Sequence, residues 1–83
     1  MTMLSGQIQS EETQVSVIIN KRHFVVPAEV TGAQLRQVAG IPLQNQLFRE
    51  EHGSAPDTLI RDSDIIHPKP GDHFYDLPPG QVG

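Results

Sequence analysis

An α+β fold, with one short helix packed on a mixed sheet of four to five strands, is predicted by three observations on the sequence. Segments of alternating, β-branched residues stand on both sides of a single helical stretch. That stretch is bounded locally by a capping box and a glycine stop. A final aromatic strand is then closed by two prolines, which have no amide hydrogen to give a sheet.

The first strand runs from Gln14, where Val15, Val17 and Ile19 alternate with Gln14, Ser16 and Ile18. Asn20-Lys21-Arg22 is a polar break, led by the residue type that best tolerates positive φ, and His23-Phe24-Val25-Val26 resumes the strand until Pro27. The two read as a hairpin. Thr31-Gly-Ala-Gln34 is the capping box, so a helix of about two turns starts there. Ala33, Leu35, Val38 and Ala39 supply its apolar stripe, and Gly40-Ile41-Pro42 ends it. Leu47-Phe48 within Gln46–Glu51 makes a third strand, Gly53–Asp57 a turn, and Leu59-Ile60 a brief fourth strand. Ile65-Ile66 is expected in a connecting turn, Lys69-Pro70-Gly71-Asp72 in a tight turn, and His73–Leu77 in the last strand. This order is that of a β-grasp, with the domain at residues 14–77, a disordered arm at 1–13 and a flexible tail at 78–83.

Composition excludes several functions. The 83 residues contain no cysteine, which removes disulfides, a thiol nucleophile and cysteine-ligated metals. A domain of this size hides only about 60% of the surface its unfolded chain exposes, leaving little room for a deep catalytic cleft. The net charge is −4 and the six basic residues are scattered, so nucleic acid is not an expected partner. Met1–Ser10 has neither a basic region nor an apolar run, and no window approaches a membrane span; no membrane association and a cytoplasmic location are expected. His23, His52, His67 and His73 fit no compact ligand spacing, and no metal or cofactor is expected. Glu50 and Glu51 point to opposite faces of a strand and Asp62 and Asp64 sit in a turn, which suits surface and turn roles better than acid–base work. Ser5, Ser10, Ser16, Ser54 and Ser63 lack an identifiable activating base.

The hairpin IINKRHFVVP, the helix TGAQLRQVAGIP, the strand NQLFREE and the closing KPGDHFYDLP together resemble the bacterial multiubiquitin family of ubiquitin-like modifiers over roughly residues 14–77. The resemblance implies a ubiquitin-like β-grasp and, as partners, an ATP-dependent ubiquitin-activating-type enzyme, a conjugating-type enzyme, a metalloprotease of the deubiquitinating type and a target protein. The chain departs from the family pattern in carrying one copy of the domain and in ending Pro-Pro-Gly-Gln-Val-Gly instead of Gly-Gly.

On that footing Gly83 is the expected acyl donor. A carboxylate that must thread a narrow channel to ATP and then meet a thiol is best carried by a residue without Cβ. The bland alternative is a glycine that ends a solvated tail by accident. Pro78, Pro79 and Gly80 would stiffen and hinge the tail, with Gln81 and Val82 carrying it into the channel, or Pro78 and Pro79 only terminate the strand. Leu47 and Phe48 alternate in direction, so one points inward and the other is a docking point for a partner enzyme, unless a twisted sheet and the Arg49 stem cover it. The expected function is therefore a protein modifier that catalyses nothing itself: Gly83 is adenylated, carried as a thioester and conjugated to a target amine through an isopeptide bond. A sulfur carrier with a C-terminal thiocarboxylate and a non-conjugated interaction domain are the alternatives.

Overall fold

The computed structural model describes residues 14–80. The expected arm at 1–13 and the tail positions Gln81, Val82 and Gly83 lie outside the described residues. Strands β1 (Gln14–Ile19) and β2 (Arg22–Pro27) form an antiparallel hairpin in which Gln14 pairs with Pro27 and Ile19 with Arg22. The loop is only Asn20-Lys21, at φ 52° and 69°, the paired left-handed geometry whose twist suits a two-residue hairpin. Arg22 therefore belongs to the strand and not to the break. Pro27 extends β2 because β2 is the sheet's edge, where a missing amide costs no ladder bond.

β3 (Val30–Thr31) leads into helix α1 (Gly32–Ala39). The Thr31 hydroxyl accepts from the Gln34 amide at 3.2 Å, and the Gln34 side chain accepts from the Thr31 amide at 2.8 Å. At the other end Gly40 takes φ 69°, which only glycine adopts cheaply, and Ile41 donates its amide back to the Arg36 carbonyl at 2.9 Å. The inward stripe is narrower than expected. Gly32 and Leu35 are buried and Ala39 packs on the core, whereas Ala33 is exposed and Val38 is 44% exposed. An eight-residue helix presents one line at i, i+3 and i+7 to the sheet, and positions 33 and 38 fall to either side of it. The first amides of α1 are satisfied by the distant 61–64 loop: Gly32 donates to the Asp64 carbonyl at 3.0 Å and Ala33 to the Asp62 carbonyl at 3.1 Å.

β4 (Gln46–Arg49), β5 (Thr58–Ile60), β6 (Ile65–Ile66) and β7 (His73–Leu77) complete the order. Ile65-Ile66 is not a connecting turn but a strand, paired antiparallel with β3 so that Val30 faces Ile66. Both of those side chains are buried, which gives the pairing its hydrophobic gain. The main sheet runs β2-β1-β7-β4-β5, with β1 and β7 parallel and the other neighbours antiparallel. The last strand is thus central, flanked by the first hairpin on one side and β4 on the other. Val17, Ile19, Leu35 and Leu47 are fully buried in the core, to which β7 contributes Phe74. This is a ubiquitin-like β-grasp: a mixed five-stranded sheet holding one short helix. No helix among the described residues is long and apolar enough to cross a membrane.

Candidate functional site: the open face of the sheet

The face of the sheet turned away from α1 is set by period two. In β4, Leu47 points inward with no exposed surface and Phe48 points outward, half-buried. Leu47 is therefore a core residue, and Phe48 is the outward member of the pair. The register places Phe48 opposite Tyr75 of β7 and Leu59 of β5. Its ring stacks on Tyr75 with centroids 5.4 Å apart and planes 19° from parallel, and Leu59 beside it is 42% exposed. Three apolar side chains on three neighbouring strands thus make one patch. Arg49 turns its guanidinium to Glu51, with Nε 3.2 Å from Oε2.

Polar groups hold the patch in place. The Tyr75 hydroxyl donates to Asp57 Oδ2 at 2.5 Å, and Asp57 Oδ1 accepts from the Glu51 amide at 3.0 Å, closing the β4–β5 loop over its own ends. Glu51 also accepts from the Thr58 hydroxyl at 2.5 Å, so it is bound into the clasp and is not a freely solvated surface group. The hydrogen bond from Tyr75, followed by that from the Glu51 amide, holds the Asp57 carboxyl below its ordinary value. The Thr58 hydroxyl, followed by the Arg49 guanidinium, does the same for Glu51. The Tyr75 phenol is pushed up to about 12, first by its bond to Asp57 and then by burial.

The sign follows from which form is bound. The stabilisation that the phenol gains from Asp57 is complete below the unfolded tyrosine value of about 10 and is lost as pH rises through about 12. That of the carboxyl is present above about 3.9 and is lost as pH falls through the depressed folded value. Tyr75 is the chain's single tyrosine, so absorbance near 295 nm reports it alone. Its midpoint is expected near 12 in the folded protein, falling toward about 10 in Asp57→Asn. A midpoint near 10 in the unaltered protein would show that the clasp is open in solution.

At the far end of β7, Asp76 fixes the strand from which the chain leaves the sheet. Its carboxylate accepts from Asn20 Nδ2 at 2.8 Å and Asn45 Nδ2 at 2.7 Å. Its amide donates to Asn20 Oδ1 at 3.3 Å, the place the next β1 carbonyl would have taken had the hairpin not turned. Pro78, Pro79 and Gly80 follow as exposed residues, with Gly80 at φ 86°.

A family model for multiubiquitin matches residues 15–75. The chain belongs to the multiubiquitin family. The matched span runs from the first residues of β1 to Tyr75 in β7, so it takes in the helix, both hairpin strands and the whole aromatic patch of this multiubiquitin domain. No curated protein and no solved structure matches the chain.

The histidines remain apart. His73 Nδ1 lies 3.6 Å from Glu50 and His67 Nε2 lies 3.9 Å from Glu29, and among the described residues no three metal-ligating side chains gather. Sequence reasoning missed Tyr75, Leu59, Asp57 and Asp76. Alternation in His73–Leu77 would have turned Tyr75 outward, but only the strand order brings it against Phe48.

Proposed function

We propose that this multiubiquitin-family domain is a protein modifier. A partner enzyme adenylates the Gly83 carboxyl, exposed as the chain's end or by cleavage behind it, and the acyl group passes to a partner cysteine and then to an amine on a target. The domain supplies the handle and the recognition surface while its partners supply the catalysis. The observation that carries this reading is the family match across a complete β-grasp body. Two features support it. Strand β7, pinned centrally by Asp76, delivers Pro78-Pro79-Gly80 outward, as a tail that must enter another protein requires. The Phe48–Tyr75–Leu59 patch offers an aromatic, pre-ordered surface on which an activating or conjugating enzyme can dock.

Mixing the domain ending at Gly83 with ATP and its cognate activating enzyme tests the reading. A reducible thioester band is expected. Removing Gly83 should abolish it, because a β-branched valine then carries the carboxyl beside the incoming thiol, while the melting temperature stays unchanged. Equal thioester formation by both chains would contradict the assignment of Gly83.

Docking is tested separately with Phe48→Asp. A half-exposed ring is lost and a charge must be desolvated at the interface, so partner affinity should fall by about 10-fold or more with the fold retained. Unchanged affinity would place recognition elsewhere on the domain.

A further inference from the structure

The hairpin tip carries a residue that the fold does not explain. Lys21 occupies the second position of a two-residue turn at φ 69°, a site that favours glycine because a Cβ crowds the left-handed backbone. Among the described residues it forms no ion pair and no side-chain hydrogen bond that would offset the strain. Strain held without structural return points to use. Lys21 lines an open groove of about 380 Å³ together with Asn20, Glu50, His73, Phe74 and Tyr75. Tyr75 also belongs to the aromatic patch, so a conjugating enzyme docked there stands directly beside Lys21.

We infer that Lys21 is the amine at which one copy of this domain is joined to the acyl group of a second copy. The inference rests on the modifier reading and deepens it by naming an acceptor. An ammonium must lose a proton before its nitrogen can attack, and the groove holds two groups able to take it: the Glu50 carboxylate and the His73 imidazole, 3.6 Å apart. The Lys21 nitrogen then attacks the Gly83 carbonyl of the second copy, held as a thioester on the conjugating enzyme. The C–N bond forms and the C–S bond breaks. The nitrogen's second proton leaves with the sulfur as the thiol, and no oxidant or further energy source is required.

The chain has one other lysine, Lys69. It is set between Pro68 and Pro70 with its amide tied to Asp72 at 2.9 Å, beside a depression of only about 170 Å³ shared with Glu50, Glu51 and Asp72. An incoming tail has less room there.

The full chain is incubated with ATP and its cognate activating and conjugating enzymes, and branched peptides are mapped by mass spectrometry. Domain-to-domain adducts should map to Lys21, and Lys21→Arg should lose at least 10-fold of them while Lys69→Arg keeps them. Thioester on the activating enzyme should be equal in all three proteins. Normal thioester with adducts mapping only elsewhere would overturn the Lys21 assignment and leave the modifier reading standing. Absence of thioester with demonstrably active enzymes would overturn both. Independently of any enzyme, Lys21→Gly should raise the melting temperature by about 3–6 °C. A fall would show that Lys21 serves the fold and would remove the ground for the inference.

Discussion

Gly32→Ala is expected to destabilise the domain by about 3 kcal/mol, lowering its melting temperature by roughly 12–24 °C. In an exposed helix the same change stabilises by about 1 kcal/mol, because alanine is the better helix former. The sign reverses here because α1 begins against backbone. A Cβ at Gly32 would overlap the carbonyl oxygen of Arg61 and come within 2.9 Å of Ile60 Cγ2. Neither can withdraw easily, since the 61–64 loop is held by the helix's own first amides and by the Asp64 carboxylate, which accepts from the Arg61 amide at 2.9 Å. Relief by moving the loop would release two helix amides from Asp62 and Asp64 and leave that of the buried Gly32 unpaired. A thermal melt of Gly32→Ala beside Ala33→Gly checks it. The exposed neighbour should lose only about 1 kcal/mol, the ordinary glycine penalty. A Gly32→Ala protein as stable as the parent would mean that α1 does not rest on this loop.

Leu35→Ala is expected to cost about 2–5 kcal/mol. Leu35 has no exposed surface and is one of two buried residues that the helix contributes to the core, so truncation leaves a cavity between α1 and the sheet that eight helical residues cannot easily collapse to fill. A small domain whose total stability is about 5–10 kcal/mol feels this as a large fraction. Val38→Ala is the internal comparison: at 44% exposure it should lose less than about 1 kcal/mol. Urea unfolding of both, with equal slopes and shifted midpoints, measures the difference. Similar losses for the two would show that the helix is rotated from the orientation described.

These two positions also mark how far the sequence could be read. The capping box at Thr31 and Gln34 and the glycine stop at Gly40 are local codes whose partners lie within a few residues, so both ends of α1 were legible. Leu35 was legible as core for the same reason. Gly32 was not, because its meaning lies in Arg61, 29 residues later in the chain and adjacent only once β5 is in place. The strand at Ile65-Ile66 was invisible because two residues carry no period, and its partner Val30 is hidden just ahead of a helix cap. Alternation said that one of Leu47 and Phe48 faces outward but could not say which. The answer depends on pairing with β7, a strand that begins 25 residues after Phe48 yet lies beside it, and the same pairing created the Tyr75 contact and the Asp57 clasp. Lys21 read as an ordinary polar turn residue until its backbone angle was known.

The proposed modifier role requires that the domain be transferred through Gly83 to an amine. Mass spectrometry of the protein recovered from the cells that make it tests this most directly. The account predicts a fraction of the chain covalently joined to other proteins through an amide at the Gly83 carbonyl, in cells whose activating and conjugating enzymes are functional, and lost when the activating enzyme is inactivated. Recovery of only the unmodified chain under those conditions, or of a chain whose sole change is sulfur in place of oxygen at its terminus, would contradict it.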